Sequence, residues 1–191
     1  MSRGRRLPPR KAIPEPKVVF LVGFMGAGKT SVGETLAARL GWRFIDLDGR
    51  IEARQKRPIA HIFRQQGERV FRRLEREELR RVIEEVGSLP ATVVSLGGGS
   101  FVQPANATSL ATCGYTVFLD APVEELWQRA QAAAGARPLA ISENHFRQLY
   151  AGRRSRYMEA DYCVSTGSRS VEEVAAEIAA LLDGIGQGEA Q

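Results

Sequence analysis

The sequence is poor in cysteine: Cys113 and Cys163 are the only two among 191 residues. They lie far apart in apolar stretches, so we expect buried free thiols rather than a disulfide or a metal site. The chain also lacks any run of about 18 apolar residues, the length that a membrane-spanning helix needs. These absences favour a protein of the reducing cytoplasm.

Acidic residues are scarce at the N-terminal end. Residues 1–15 contain five basic side chains but one acidic side chain, Glu15, and so carry four of the five net positive charges of the chain. They also lack the apolar core of about 7–15 residues that a secretory signal needs. We predict that residues 1–16 form a basic, disordered arm, and contact with nucleic acid is the less favoured alternative.

Short apolar runs alternate with helical patterns along the rest of the chain. The predicted strands are 18–23, 43–48, 92–97, 115–120 and 162–165. Nearly continuous apolar strands are typical of a parallel sheet covered on both faces. The alternation of strands and helices predicts a doubly wound α/β fold. We expect one domain over residues 17–183, followed by a loose tail over 184–191.

Helix-capping residues support this prediction of the helices. Gly41 follows an apolar helical face as a predicted C-cap, and Ser170 with Glu173 forms a capping-box pattern ahead of another. The segment 128–144 differs, because it mixes alanine, glycine and arginine and has little apolar bulk. A mobile lid and an ordinary surface connection both fit its composition.

The stretch from Gly23 to Thr30, GFMGAGKT, matches the phosphate-loop pattern G-x-x-x-x-G-K-[ST] between a predicted strand and a predicted helix. Glycines let the backbone N–H groups turn towards an anion, and the N-terminus of the helix adds positive potential. Lys29 would reach the β and γ phosphates, and the Thr30 hydroxyl is a ligand for Mg²⁺. The pattern therefore predicts a nucleoside triphosphate site.

Two aspartates, Asp46 and Asp48, end the predicted second strand. Residues two apart on a strand face the same side, so we expect both carboxylates to point at the phosphate site. One would hold Mg²⁺ through water, and the other would accept the proton of a hydroxyl acceptor. A solvated strand end is the alternative.

Arginines and glycines supply the remaining candidates. Arg72 lies between apolar residues, and Glu75 is placed to hold its guanidinium. The planar guanidinium suits a bidentate contact with the carboxylate of a ligand. The run Gly97–Gly99 follows the third strand, where backbone would approach a ligand closely. Arg137 in the suspected lid and Arg153 are further anion-binding candidates, although surface charge explains either. Together these groups suit a small polyhydroxy carboxylate.

In order and spacing, these segments resemble the shikimate kinase family of P-loop small-molecule kinases. The resemblance runs from about Lys17 to about Leu182. Its segments are 23–30, 45–52, 58–77, 95–100, 137–139 and 153–157. It implies a five-stranded parallel sheet of order 2-3-1-4-5 with helices on both faces and a mobile lid. It also implies a monomeric, cytoplasmic enzyme that converts shikimate and ATP to 3-phosphoshikimate and ADP on the route to chorismate and aromatic amino acids.

The resemblance implies a role for each candidate residue. The implied ATP-binding residues are Gly26, Ala27, Gly28, Lys29, Thr30, Ser31, Arg137 and Arg169. The implied shikimate-binding residues are Asp48, Arg72, Gly97, Gly98, Gly99 and Arg153. Asp48 is the implied base, Lys29 and Arg137 stabilise the transferred phosphoryl group, and Thr30 and Asp46 hold Mg²⁺.

The chain departs from the family pattern in three places, and the first is the basic N-terminal arm, which lies outside the match. The family usually has Arg-x-Pro-Leu-Tyr where this chain has Arg-Arg-Ser-Arg-Tyr at 153–157, so Arg153 and Arg154 are alternatives for the second carboxylate contact. The lid also lacks the basic residues common in the family before Arg-Pro-Leu. The rival hypotheses are a gluconate-type or nucleotide-directed kinase, and a nucleotide-binding regulatory module without kinase activity.

Overall fold

The computed structural model describes residues 17–132 and 142–188. Five strands alternate with helices in this part of the chain. The strands are β1 (Val18–Val22), β2 (Arg43–Asp46), β3 (Thr92–Ser95), β4 (Tyr115–Asp120) and β5 (Tyr162–Ser165). The helices are α1 (Lys29–Leu40), α2 (Leu47–Gln55), α3 (Ile59–Val86), α4 (Pro104–Leu110), α5 (Val123–Ala132), α6 (Glu143–Tyr157) and α7 (Val171–Gly188).

The strands form one parallel sheet in the order β2-β3-β1-β4-β5, which confirms the predicted fold class and strand order. β1 lies at the centre and all of its residues are buried, which explains its uninterrupted apolar sequence. Because the strands are parallel, their carboxyl ends meet at one edge of the sheet. Ligand sites of open α/β sheets lie at that edge.

The predicted helix signals have the predicted geometry. Gly41 ends α1 with a φ of 66°, the left-handed conformation that glycine adopts without strain. At the start of α7, Ser170 N–H donates to Glu173 Oε2 at 2.8 Å, and Glu173 N–H donates to Ser170 Oγ at 3.2 Å. None of the helices in the described residues is long and apolar enough to cross a membrane.

The second strand is shorter than predicted, because β2 ends at Asp46 and α2 begins at Leu47. The carboxylate of Asp46 causes this change of structure. Its Oδ1 accepts the backbone N–H groups of Asp48 at 3.0 Å and of Gly49 at 3.4 Å, which caps the first turn of α2. The prediction that Asp46 and Asp48 share one side of a strand is therefore wrong.

Other predicted boundaries also differ from the structure, among them those of the tail and of the lid. α7 continues to Gly188, into the segment predicted as a loose tail, because the buried Ile185 extends the apolar stripe of Ile178 and Leu182. The suspected lid is helical at both ends. Residues 128–132 belong to α5, and residues 143–144 begin α6, whose N-cap is Ser142. The centre of the suspected lid lies outside the described residues, as do residues 1–16.

Candidate active site

The loop between β1 and α1 has a backbone that only glycine accommodates easily. Gly23, Gly26 and Gly28 have φ values of 146°, 85° and 85°, which residues with a side chain rarely adopt. A Cβ on Gly26 would also lie 2.4 Å from the carbonyl oxygen of Leu126. The spacing of glycines in the phosphate-loop pattern is thus required by the conformation of the loop itself.

Lys29 and Thr30 begin α1 at the carboxyl edge of the sheet. Lys29 Nζ donates hydrogen bonds to the carbonyl oxygens of Gly23 and Phe24, both at 3.0 Å, so its ammonium lies against the loop. Thr30 Oγ1 donates to Asp46 Oδ2 at 3.0 Å. The hydroxyl and the carboxylate predicted to hold Mg²⁺ are therefore neighbours.

A first hollow, here called the phosphate hollow, opens beside this loop. Its lining residues are Gly26, Gly28, Lys29, Thr30, Ser31, Asp46, Asp48, Gly49, Glu52, Pro58, Ile59, Ala60, Ser95 and Leu96. They include the predicted ATP-binding residues of the loop except Ala27. Ala27 is buried, with 1% of its surface exposed, so only its backbone is available to a ligand.

A second hollow, here called the acceptor hollow, lies beside the phosphate hollow. Its lining residues are Met25, Asp48, Ile59, Phe63, Phe71, Arg72, Glu75, Gly97, Gly98, Gly99 and Arg153. All the predicted shikimate-binding residues are among them. Asp48 and Ile59 line both hollows, so the two sites adjoin and the Asp48 carboxylate stands between them.

The glycine run, Gly97–Gly99, makes room for protein side chains. A Cβ on Gly97 would lie 2.6 Å from Asp48 Oδ1 and 2.7 Å from Glu75 Oε1. A Cβ on Gly99 would lie 2.2 Å from Arg72 Nη1. The run was predicted to let backbone approach a ligand, but at these two positions it first lets the charged groups of the acceptor hollow approach the backbone.

Arg72 is held in the hollow by two carboxylates of α3. Its Nη1 donates to Glu75 Oε2 at 2.8 Å, and its Nη2 donates to Glu68 Oε1 at 2.9 Å. Glu75 is 1% exposed, so this ion pair is shielded from water on the carboxylate side. Burial by itself lowers the pKa of Arg72, but Glu75 and Glu68 outweigh it and raise the pKa. The guanidinium is therefore a permanent positive charge beside the hollow.

The structure separates the two alternatives for the second arginine. Arg153 lines the acceptor hollow, with its guanidinium carbon 5.9 Å from the ring centre of Phe24. Arg154 points elsewhere: its Nη2 donates to Asp120 Oδ2 at 2.7 Å, and its Nε donates to the Tyr150 hydroxyl at 3.2 Å. Arg153 is therefore the arginine available to an anion in the acceptor hollow.

Of the two remaining predicted residues, Arg169 lines neither hollow. Arg169 Nη1 donates to Glu177 Oε2 at 2.5 Å and to the Ser165 carbonyl oxygen at 3.0 Å, so its guanidinium is engaged within the protein. Arg137 lies outside the described residues. Their roles at the nucleotide stay predictions.

The apolar walls of the acceptor hollow were not predicted. Ile59 and Phe63 lie on the first segment of α3, and Phe71 lies on the second; the two segments meet at Gly67, where φ is 77° and ψ is 169°. The spacing of Ile59 and Phe63, four residues apart, was a usable signal for a common helix face. Ile59 and Phe63 line the same hollow as Phe71 only because α3 is kinked at Gly67, and local periodicity does not reveal that kink.

The fold and the paired hollows define a class of protein. A phosphate loop at the carboxyl edge of a parallel sheet, next to a separate polar hollow with a shared carboxylate, is the arrangement of a P-loop kinase that phosphorylates a small molecule. The comparisons with known proteins agree with this class. Residues 25–183 match the family model described as shikimate kinase.

Curated relatives and solved structures narrow the class further. A shikimate kinase of Thermus thermophilus is 42% identical over 88% of this chain and 92% of its own length. That of Geobacter sulfurreducens is 40% identical over 86% and 90%. The shikimate kinase of Acinetobacter baumannii, solved in complex with shikimate, has a TM-score of 0.79 at 36% identity, covering 89% of this chain and 94% of that chain.

This chain belongs to the shikimate kinase family, which confirms the resemblance read from its sequence. It is thus an ATP-dependent kinase that acts on an alcohol. A gluconokinase from Sinorhizobium meliloti also shares the architecture, with a TM-score of 0.58 at 18% identity. That likeness extends to the fold alone.

Proposed function

We propose that this protein transfers the γ-phosphoryl group of ATP to the 3-hydroxyl group of shikimate, giving 3-phosphoshikimate and ADP for aromatic amino acid biosynthesis. The observation that carries the proposal is the shared wall of the two hollows. Asp48 borders both, so an acceptor hydroxyl bound beside Asp48 lies next to the phosphates held by the loop. Phosphoryl transfer needs little more than this positioning and charge stabilisation.

The chemistry of the acceptor hollow supports a ring that carries a carboxylate and hydroxyl groups. Arg72 and Arg153 offer two guanidinium groups for a carboxylate. The Asp48 carboxylate accepts hydrogen bonds from hydroxyl groups, and the rings of Phe63 and Phe71 border the hollow with apolar surface. Shikimate carries a matching partner for each of these protein groups, because its apolar ring bears one carboxylate and several hydroxyl groups.

Each reacting group has a proposed partner in the chain. Asp48 orients the attacking hydroxyl and takes its proton, because a carboxylate within hydrogen-bond reach serves as a general base. The backbone from Gly26 to Ser31 binds the β and γ phosphates. Lys29 exchanges its carbonyl partners for phosphate oxygens and stabilises the charge of the transferred group. In the proposal, the positive charge of Arg137 adds to this stabilisation, as the family resemblance implies.

The residues at the start of α1 and α2 fit Mg²⁺. The Thr30 hydroxyl and the Asp46 carboxylate are oxygen donors in mutual contact at 3.0 Å, and Mg²⁺ prefers few protein oxygens completed by water and phosphate. When bound, Mg²⁺ would neutralise phosphate charge. As the family resemblance implies, we further propose that the protein acts as a monomer, and that its reaction does not involve nucleic acid.

Release of ADP with a panel of acceptors tests the proposal. Purified protein is given Mg²⁺-ATP with shikimate, gluconate, a nucleoside monophosphate or no acceptor. We expect rapid ADP release with shikimate and only slow hydrolysis otherwise. Rapid release with gluconate or a nucleotide would favour the neighbouring kinase classes. ATP binding without any acceptor-dependent release would favour a regulatory module.

A further inference from the structure

The glycine run has an attachment that the reaction described above does not explain. The hydroxyl of Tyr157 donates a hydrogen bond to the carbonyl oxygen of Gly98, across 59 residues of sequence. Tyr157 is the last residue of α6 and is completely buried. Its ring stacks on that of Phe118 in β4, with ring centres 5.3 Å apart. Ring packing and the hydroxyl contact are therefore two separate functions of this side chain.

The run needs such an attachment because three consecutive glycines have the largest conformational freedom of any tripeptide. Local bonds restrain its first residue and the segment that follows it. Ser100 N–H donates to the Gly97 carbonyl oxygen at 3.0 Å, and Asn106 Nδ2 donates to the Ser100 carbonyl oxygen at 2.9 Å. The bond from Tyr157 adds a restraint at the middle residue, and it comes from another element of the fold.

Holding one carbonyl oxygen orients a whole peptide group. The peptide between Gly98 and Gly99 is planar, so its N–H points opposite to the carbonyl that Tyr157 binds. Gly98 also lies against the phosphate loop, since a Cβ there would be 3.6 Å from both the Gly23 carbonyl oxygen and the Met25 nitrogen. The position of this peptide therefore sets the acceptor hollow relative to the phosphate loop.

Tyr157 also shares its helix with Arg153. The two residues are four apart on α6, which places them on one face of the helix. Helix α6 thus carries both the guanidinium that lines the acceptor hollow and the hydroxyl that binds the Gly98 carbonyl oxygen.

We propose that Tyr157 is a positioning residue for the acceptor, which fixes the peptide of the glycine run and the Arg153 guanidinium in one geometry around the acceptor's carboxylate. This inference rests on the proposed function. It predicts that the Tyr157 hydroxyl affects recognition of the acceptor's carboxylate and leaves the nucleotide site unchanged.

Tyr157→Phe tests this, since it removes the hydroxyl and keeps the stacked ring. We expect the KM for shikimate to rise about threefold to tenfold, the usual effect of one hydrogen bond, while the KM for ATP stays within about twofold. With an analogue whose carboxylate is replaced by hydroxymethyl, the variant and the original protein should differ by less than about twofold, because the positioned contact is absent from both.

Thr116→Val is the matched control. It removes another buried hydroxyl, which donates to Asp161 Oδ2 at 2.7 Å, at the amino end of β4 and away from the hollows. It should lower stability without changing either KM. Equal changes in both KM values for Tyr157→Phe, no change in the KM for shikimate, or the same loss with the analogue would each overturn the inference.

Two further results separate this inference from the proposed function. If the original protein releases no ADP in response to shikimate, the proposed function has failed. If it does, but Tyr157→Phe behaves like Thr116→Val, only the positioning role has failed. Should Tyr157→Phe not fold, a structure of the original protein with shikimate decides. A Tyr157 hydroxyl more than about 3.5 Å from the Gly98 oxygen in that complex would overturn the inference.

Discussion

Substitution of Gly99 by alanine tests the packing of the acceptor hollow most sharply. The new methyl group would lie 2.2 Å from Arg72 Nη1, 2.4 Å from its Cζ and 2.5 Å from its Nη2. These distances are far inside van der Waals contact, and the atoms belong to the free end of a flexible side chain. We therefore expect the backbone to stay in place and the Arg72 guanidinium to leave its position.

The displacement should weaken shikimate binding and stability together. A hydrogen bond to a charged group contributes about 1.5–3 kcal/mol, which corresponds to a rise of about 10- to 150-fold in the KM for shikimate. Glu75 would lose its partner in a buried position, so the free energy of unfolding should fall by about 1–3 kcal/mol. The KM for ATP should change little, because Gly99 does not line the phosphate hollow.

Steady-state kinetics with ADP detection and urea unfolding measure these effects. Gly184→Ala serves as the control, because a Cβ at that helical position meets no atom within 4 Å. It should raise the free energy of unfolding by about 0.5–1 kcal/mol and leave both KM values unchanged. An unchanged KM for shikimate in Gly99→Ala would refute the assigned contact between Arg72 and the acceptor.

Three further outcomes follow from the same site. Asp48→Asn should lower kcat at least about 100-fold, because it removes the base, while the Kd for ATP measured by calorimetry stays within about twofold; a normal kcat would reject Asp48 as the base. Arg153→Ala should raise the KM for shikimate at least about tenfold, whereas Arg154→Ala, which loses the ion pair with Asp120, should only destabilise the fold; the reverse pattern would show that Arg154 contacts the acceptor. Burial raises the pKa of Tyr157 from 10.0 to about 12, so its stabilising contribution is complete below pH 10 and is lost as the pH rises towards 12. Between these values the free energy of unfolding should fall by up to roughly 1.4 kcal/mol per pH unit, and Tyr157→Phe should show a shallower fall.

The paired aspartates show how far local sequence rules reach. Their place at the end of the second predicted strand correctly put both beside the phosphate loop. The reason was wrong, because Asp46 itself accepts N–H groups of the next turn and converts the strand into a helix before Asp48. Helix capping and strand alternation compete at such a position, and two residues of sequence do not decide between them.

The glycine run lines the acceptor hollow, and the sequence reasoning that singled it out was incomplete. Its location at the carboxyl end of a strand follows from the strand pattern, so the sequence predicts a site there. The presence of Asp48, Glu75 and Arg72 against its backbone depends on how α2 and α3 pack, which no local pattern encodes. The contact of Tyr157 with Gly98 is harder still to foresee, since it joins residues 59 apart.

A structure of the protein with shikimate, Mg²⁺ and a non-hydrolysable ATP analogue tests the central claim most directly. The claim predicts that the 3-hydroxyl oxygen lies within about 2.6–3.2 Å of an Asp48 carboxylate oxygen and faces the terminal phosphorus of the analogue, with the shikimate carboxylate at Arg72 and Arg153. Shikimate bound away from Asp48, or with its carboxylate turned towards the phosphates, would contradict it.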